Sequence, residues 1–320
     1  MHRPRSRVLA PVMALTGGIA VTGVILAAAA HVYRRVRHDL PMIRSLDGTL
    51  RFVAGPTGAI AFYSGGQSRR LRAPILLIHD TGPVACSADL KPIWDYFSAT
   101  RRIISIDLPG FGFSDRGDQD YTAETYRDAI LMVMGAGAAG EPVDIVALGQ
   151  GAEFAALAAI IQPKLVRSIT LLSPTGLIGS SRQWEGLFHV LRCSALAQIV
   201  FDLITSRPVL RVTSGQGATE ADRDELLGQH YETSHQQGAW FAPAMAALGL
   251  LATPKMVDSY EALAMPALAI FGSSEVSKLN AANMLNARSN WHIHTAASPG
   301  TAGRWLAQPA VLEQISNHVR

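Results

Sequence analysis

Short apolar runs alternate with candidate helices along most of this chain. The run Pro74–Ile78 has no polar position, which is typical of a strand that is buried on both faces. Helices are predicted at residues 88–97, from Thr122 onward and at 312–319. The other predicted strands are residues 50–53, 59–63, 103–108, 143–148, 169–172, 267–271 and 291–294. The alternation predicts an α/β fold with a mostly parallel sheet and helices on both of its faces.

The alternation stops between residues 175 and 263. Helices are predicted there at 182–200, 220–230 and 243–251, and the last opens on Pro243, which suits a first helical position. Because the interval lies between two strands of the sheet, it is predicted to form a helical cap. The pattern is equally compatible with a lid over a binding site and with a plain inserted subdomain.

Residues 1–44 form a separate segment with basic flanks. The run Val8–Val32 contains no Asp, Glu, Lys or Arg and is long enough to cross about 30 Å of hydrocarbon as a helix. We therefore expect a single transmembrane helix that anchors residues 45–320, the predicted globular domain, to a membrane. A cleaved signal peptide is the alternative, although its apolar region is normally only about 7 to 15 residues long. Arginines lie on both sides of the run, so charge does not predict which face the globular domain occupies.

The composition is that of a folded protein with a large core. The chain has 320 residues, of which 48% are hydrophobic and 17% are charged. Its net charge of +3 is local, because residues 1–50 hold seven arginines and two aspartates, a net of +5 that leaves about −2 for the rest. Nucleic acid is therefore not an expected partner. Cys86 and Cys193 indicate neither a disulfide framework nor a metal site, and no nucleotide or zinc motif occurs, so no cofactor is expected.

The stretch around residue 149 carries the main functional signal. The apolar strand Val143–Leu148 is followed by a tight turn, Gly149-Gln150-Gly151, and then by an alanine-rich helix. A strand, a sharp turn and an immediate helix form the unit that presents the nucleophile at the centre of a G-x-S-x-G pentapeptide. Here the pentapeptide is Ala147–Gly151. Its central residue, Gly149, has no side chain.

Two further segments resemble those of the α/β-hydrolase superfamily. Residues 107–115, Asp-Leu-Pro-Gly-Phe-Gly-Phe-Ser-Asp, are similar to the family's D-x-P-G-x-G-x-S segment, and residues 77–82, Leu-Ile-His-Asp-Thr-Gly, resemble the turn that donates to the oxyanion. The resemblance covers about residues 45–320. It implies the α/β-hydrolase fold, with the insertion at 175–263 as the cap.

The resemblance also implies a nucleophile, a histidine and an acid, and the sequence departs from that set. Gly149 stands at the nucleophile position, and Glu275 stands at the acid position. The alternative roles for Glu275 are a solvated surface charge and a helix cap. The loop 296–305, where the family places its histidine, has no imidazole. The nearby histidines are His292 and His294, expected to be packing or surface residues, and His318 on the final helix.

An oxyanion-type pocket is expected next to the turn. Its residues would be His79, Asp80, Thr81, Gly82 and Gln150. The backbone N–H of Gln150 is a candidate oxyanion donor, and its side-chain amide is expected either to bind a ligand or to cap the helix. Gly149 and Gln150, with the turn at Thr81-Gly82, would form a polar notch that holds a carbonyl without cleaving it.

Cys86 and Ser87 follow that turn and are the alternative nucleophiles. A thiol is intrinsically the better nucleophile but needs a lowered pKa and a nearby base, and His79 is the only local imidazole. A buried, inert Cys86 is the competing interpretation.

Three functions are compatible with the sequence. The first is a membrane-anchored, catalytically degenerate protein of the α/β-hydrolase fold that binds a hydrophobic or acyl small molecule or a protein partner. The second is an active hydrolase or acyltransferase with an unconventional nucleophile, or with Glu275 and a histidine that folding brings to it. The third is a structural subunit of a membrane complex with a membrane protein partner.

Overall fold

The computed structural model describes residues 40–67, 72–178, 195–213, 220–297 and 305–320. The predicted membrane helix at 8–32 and the part of the first predicted cap helix at 182–194 lie outside these residues. Within them, no helix combines the length and the hydropathy that a membrane crossing requires.

One sheet contains the eight strands of the described residues. The strands are β1 Thr49–Gly55, β2 Gly58–Gly66, β3 Ile75–Ile78, β4 Arg102–Ile106, β5 Val143–Leu148, β6 Val166–Leu172, β7 Ala267–Gly272 and β8 Trp291–Ala296. Their order is β1-β2-β4-β3-β5-β6-β7-β8. The pairs β1–β2 and β2–β4 are antiparallel, and every other pair is parallel. The predicted α/β architecture with a mostly parallel sheet is therefore confirmed.

Strand β5 lies near the middle of the sheet, and all six of its residues are buried. Its successive side chains point to opposite faces, as the period of a strand requires. Ile145 and Ala147 pack in the core on one face, whereas Val146 and Leu148 pack in the core on the other. Burying a side chain the size of Ile145 contributes roughly 1.5–3 kcal/mol, so the strand that precedes Gly149 is firmly held.

Helices cover both faces of the sheet. They are α1 Lys91–Ser98, α2 Ala123–Ala138, α3 Gly151–Ile161, α4 Ala195–Ile204, α5 Arg207–Thr213, α6 Glu220–Ser234, α7 Phe241–Ala247, α8 Met256–Glu261, α9 Val276–Ala282 and α10 Pro309–His318. Tyr126 of α2 and Phe154 of α3 belong to the core on one face. Trp94 of α1 and Leu312 of α10 belong to the core on the other.

Helices α4 to α8 lie between β6 and β7, in the interval predicted to be the cap. Polar contacts join them to the sheet domain. His230 Nε2 on α6 lies 2.8 Å from Asp89 Oδ1, in the short 3-10 turn before α1, and both side chains are largely buried. Arg116 Nη1, in the loop after β4, donates to the carbonyl of Thr233 at 2.5 Å.

Two predicted helix starts are wrong by a few residues. Helix α7 begins at Phe241, so Pro243 occupies its third position rather than its first. The first four N–H groups of a helix have no partner within the helix, so proline is tolerated there without losing a hydrogen bond. For the same reason α10 begins on Pro309, three residues before the predicted start.

Candidate functional site

The turn between β5 and α3 is a sharp elbow with Gly149 at its tip. Gly149 has a φ of +56°, a left-handed conformation that glycine adopts most readily. Its N–H donates to the carbonyl of Leu172 at 2.9 Å, which ties the elbow to the end of β6. Residue 151 is also a glycine, since a β-carbon at that position would overlap the carbonyl oxygen of His79.

The carboxylate of Asp80 fills the space that a side chain at residue 149 would use. A β-carbon built on Gly149 would lie well under 3.0 Å from Asp80 Cγ and from both carboxylate oxygens, a separation that real β-carbons do not show. Asp80 follows β3, the strand beside β5, and the register Ile78↔Ala147 brings the two strand ends level. A side chain at residue 149 and Asp80 in this position therefore exclude each other.

Asp80 also accepts hydrogen bonds from the Gln150 N–H, which was expected to bind an oxyanion, and from the Thr81 N–H in the turn that resembles an oxyanion-donating one. Its Oδ1 accepts from the Thr81 N–H at 2.8 Å and from the Gln150 N–H at 2.8 Å. The Gln150 N–H lies at the N-terminus of α3, where a negative charge is favoured. Burial raises the pKa of Asp80, and the two N–H bonds oppose that rise. The oxyanion donors predicted from the sequence are present, but an internal carboxylate already pairs with them.

Gln150 and Thr81 bridge the same two loops through their side chains. The Thr81 hydroxyl donates to Gln150 Oε1 at 2.5 Å. Gln150 is the N-cap residue of α3, yet its side chain makes no capping hydrogen bond. Of the two roles predicted for the Gln150 amide, helix capping is therefore wrong.

His79 lies behind the pocket. Its ring is fully buried, and Nε2 accepts from the Leu108 N–H at 2.9 Å. Because Nε2 accepts, the ring proton lies on Nδ1, which contacts the carbonyl of Asp80 at 2.5 Å. Backbone groups thus occupy both ring nitrogens of His79, and the imidazole positions Asp80 instead of serving as a base.

Glu275 follows β7 at the position expected for the acid, but it contacts no histidine among the described residues. Its Oε1 accepts from Ser173 Oγ and from Lys278 Nζ, the latter at 2.9 Å, and its Oε2 accepts from the Gly272 N–H at 2.9 Å. Burial acts to raise the pKa of Glu275, but the hydrogen bonds from Ser173, Lys278 and Gly272 outweigh it, so the pKa is lowered.

The histidines of the last third of the chain lie elsewhere. His292 and His294 are on β8, His292 exposed and His294 half-buried, as the sequence analysis expected. His318 is on α10, and its Nε2 contacts the carbonyl of Ile169 at 3.2 Å, three residues before the end of β6. None of the three contacts Glu275 or the elbow in the described structure.

Ser87 and Cys86 are both buried and held by other groups. The Ser87 hydroxyl donates to Asp107 Oδ1 at 2.7 Å, and Asp107 also accepts from the Ser87 and Phe113 N–H groups. Burial raises the pKa of the Cys86 thiol well above its usual value. A thiol in such surroundings is not ionised at neutral pH, so the geometry favours the interpretation of Cys86 as an inert core residue.

A cavity of about 430 Å³ opens above the elbow and under the cap. Its floor includes Asp80, Thr81 and Gln150, and its walls come from residues 174–178 after β6 and from residues of α7 and the following loop. Gly82 lies at its edge, where a β-carbon would meet no atom within 4 Å. The volume falls in the range of small-molecule sites.

Glu153 is a wall residue that the sequence analysis missed. It lies in the first turn of α3, is almost completely buried, and accepts hydrogen bonds from the Thr175 hydroxyl and, at 3.0 Å, from the Thr253 N–H. Burial raises its pKa, and the nearby Asp80 raises it further. Its charge inside an alanine-rich helix was visible in the sequence, but a glutamate is normally exposed, so that feature by itself does not indicate a cavity residue.

Comparisons with known proteins agree with this architecture. The family described as alpha/beta hydrolase fold matches residues 74–192. A 2-hydroxymuconate semialdehyde hydrolase of Pseudomonas sp. (strain CF600) is 31% identical over 105 residues, which are 32% of this chain and 37% of that enzyme. The chain thus aligns with little more than a third of that relative's length.

Solved structures resemble the chain over a larger part of its length. A serine hydrolase involved in carbazole degradation has a TM-score of 0.61 at 17% identity and covers 85% of this chain and 98% of its own. A membrane phospholipase A has a TM-score of 0.61 at 17% identity and covers 97% and 98%. The Cif epoxide hydrolase of Acinetobacter nosocomialis has a TM-score of 0.62 at 17% identity and covers 85% and 89%. At these identities the likeness shows the fold.

Proposed function

This chain has the α/β-hydrolase fold, and we propose that it acts by binding a small molecule under the cap rather than by cleaving an ester through its elbow. The observation that carries the proposal is the position of Asp80. Its carboxylate fills the place of the elbow side chain and pairs with the N–H groups of Thr81 and Gln150.

Acyl transfer at this elbow needs an attacking atom, a base and free oxyanion donors. Gly149 supplies no attacking atom. Both ring nitrogens of His79 are hydrogen-bonded to backbone groups, so this imidazole is not free to act as the base. Removing one oxyanion donor from a serine hydrolase lowers kcat by about 10²–10³. Here Asp80 Oδ1 occupies both donors, and its negative charge would repel a second oxyanion at the same point.

The cavity retains the features of a binding site. Its walls are mainly apolar, with Leu177, Ile178 and Ala246 among them, and its polar groups are concentrated on the floor. Apolar walls with a few polar groups at one end are typical of sites for small organic molecules. This arrangement supports the hydrophobic ligand expected from the sequence.

The test combines an activity assay with a binding assay on the purified chain. We expect no hydrolysis of p-nitrophenyl esters above the buffer rate, no labelling by a fluorophosphonate probe, and an increase in Tm with some members of a library of apolar small molecules. Gly82→Phe should project into the open cavity and abolish the increase. Gly135→Phe is the matched control, because Gly135 is exposed on α2 and a β-carbon there also meets no atom within 4 Å. Ester turnover, or labelling at a single serine, would contradict the proposal.

A second candidate function is hydrolysis with Asp80 as the nucleophile. Its carboxylate borders the cavity at the place of the elbow side chain, while Oδ1 is held by two N–H groups. In such a reaction Oδ2 would attack an electrophilic carbon, the leaving group would depart with its bonding electrons, and water would hydrolyse the resulting ester. An alkyl adduct that appears in the intact mass with an epoxide or alkyl halide, and disappears in Asp80→Asn, would establish this function.

We also propose that residues 1–44 anchor the protein to a membrane, as their apolar run predicts. Helix α4 of the cap presents large exposed aliphatic side chains, namely Ile199, Val200, Leu203 and Ile204, which would be compatible with a position next to lipid. The test is alkaline carbonate extraction of cell membranes. The full chain should stay in the pellet, and a chain that lacks residues 1–39 should move to the supernatant.

A further inference from the structure

We propose that the cavity selects a small organic amine, whose ammonium group pairs with the carboxylate of Asp80 and whose hydrocarbon part packs under the cap. This inference rests on the proposed binding function and names the ligand class. It reverses the sequence-based expectation of a carbonyl or acyl ligand, because folding changes the polarity of the floor.

The backbone hydrogen-bond donors of the floor are already paired within the protein. The N–H groups of Thr81 and Gln150 donate to Asp80 Oδ1, and the Thr81 hydroxyl donates to Gln150 Oε1. These groups are the ones that a carbonyl or carboxylate ligand would need. Since the two backbone N–H groups and the Thr81 hydroxyl are already paired within the protein, the ligand meets the remaining oxygen of Asp80 as an acceptor. The donor left on the floor is the side-chain amide N–H of Gln150, which carries no charge.

The charged side chains of the cavity favour a cation. Three charged side chains line the cavity, namely Asp80, Glu153 and Lys278. The Lys278 ammonium pairs with Glu275 at 2.9 Å, so its charge is compensated. The partners of Asp80 and Glu153 in the described structure are N–H groups and hydroxyls, none of which carries a positive charge. When these two carboxyl groups are ionised, the lining of the cavity carries negative charge without a positive partner, and a cationic ligand supplies that partner.

The walls of the cavity favour a ligand with a hydrocarbon part. Pro83, Leu177, Ile178 and Ala246 form apolar surfaces above the floor, and the volume of about 430 Å³ admits a ring or a short chain. A bare metal ion would leave these surfaces unused. An amine with a hydrocarbon part uses both the floor and the walls.

The ionisation of the two carboxyl groups supports the same ligand. Burial raises the pKa of Asp80 and of Glu153. A bound ammonium group favours their charged forms and lowers those pKa values. Amine binding should therefore release protons in mildly acidic buffer, whereas binding of a neutral ligand should not.

The experiment compares three probes of nearly equal shape on the full chain: 2-phenylethylamine, 2-phenylethanol and phenylacetate. Calorimetry at pH 7 should show the amine binding at least tenfold more tightly than the alcohol, with the carboxylate weakest. Asp80→Asn keeps an acceptor for the Thr81 and Gln150 N–H groups but presents an amide donor to the cavity. It should abolish the tenfold preference and strengthen phenylacetate binding. Asp95→Asn, an exposed aspartate on α1, is the matched control and should leave the ranking unchanged.

The outcomes separate the inference from the function on which it rests. Equal binding of the three probes, tighter binding of phenylacetate, or an amine preference that survives in Asp80→Asn would overturn the amine assignment. If none of the three binds while another neutral or anionic molecule raises the Tm, the amine assignment fails and the binding function stands. Ester turnover with no binding of any library member would overturn the binding function. Should Asp80→Asn not fold, the ranking of the probes on the native chain decides the question.

Discussion

Replacing Gly149 by alanine tests directly whether Asp80 takes the place of the elbow side chain. The new β-carbon would meet the Asp80 carboxylate at an impossible separation, so the carboxylate must rotate away and give up its bonds to Thr81 and Gln150. Hydrogen bonds to a charged group contribute about 1.5–3 kcal/mol each. The left-handed φ of +56° adds about 1–2 kcal/mol for a residue with a β-carbon.

These terms sum to about 4–8 kcal/mol if both bonds are lost outright. We expect the lower end, about 4 kcal/mol, because the rotated carboxylate is rehydrated in the cavity. Such a loss is a large fraction of the roughly 5–15 kcal/mol that stabilises a typical protein. Urea unfolding followed by circular dichroism measures it. Gly135→Ala, on the exposed face of α2, is the control and should be neutral or stabilising by up to about 1 kcal/mol.

The double variant Gly149→Ala with Asp80→Ala tests whether the cost of the alanine comes from the Asp80 carboxylate. With the carboxylate already removed, the alanine at residue 149 meets only its backbone strain. The double variant should therefore be about as stable as Gly149→Ala alone, and the two changes should couple by about 2–3 kcal/mol. Effects that add within about 0.5 kcal/mol, or a loss below about 1 kcal/mol for Gly149→Ala, would refute the assignment of Asp80 to that space.

Three further predictions follow from the same structure. Asp144→Ala should destabilise the chain by about 3–5 kcal/mol in urea unfolding, because Asp144 is fully buried and its removal leaves the buried Arg101 guanidinium without a carboxylate partner. The more exposed Arg167 stays hydrated and adds little to that loss. Burial raises the pKa of Asp80, so the folded state loses stability as pH rises above the unfolded pKa of 3.8. The free energy of unfolding of Asp80→Asn, measured relative to that of the native chain, should therefore increase from pH 4 to pH 7. A difference that stays constant over this range would contradict the prediction. The lowered pKa of Glu275 acts in the opposite sense. The stability that this carboxylate contributes should be present above its unfolded pKa of 4.5 and lost as pH falls below that value. In Glu275→Gln, the free energy of unfolding should therefore change less with pH below 4.5 than it does in the native chain.

Much of the fold could be predicted from local pattern. The strand Val143–Leu148 was predicted with its observed bounds, because a continuous apolar run between turn residues is a strong signal for a buried parallel strand. The helix starts near Pro243 and Pro309 were predicted two and three residues too late, because proline loses no hydrogen bond at any of the first positions of a helix and so does not fix its first residue.

The candidate site was predicted in part. The predicted pocket residues Asp80, Thr81, Gly82 and Gln150 all line the same cavity. His79 does not line it, since its imidazole turns to the backbone of Leu108. Glu153 was missed, because nothing in the spacing of an alanine-rich helix tells which side chain faces a cavity formed by α7 and the loop after β6.

The sequence by itself determined that residue 149 carries no side chain and that no histidine occupies the loop at 296–305. It also determined the α/β architecture, because strand and helix patterns are local properties. Only the tertiary structure decided what fills the space left by the missing side chain. Asp80 is 69 residues from Gly149 along the chain, and the parallel pairing of β3 with β5 brings its carboxylate onto the elbow. That contact pairs the backbone N–H groups of the elbow with an internal carboxylate, and such a pairing depends on a side-chain position that no local pattern encodes.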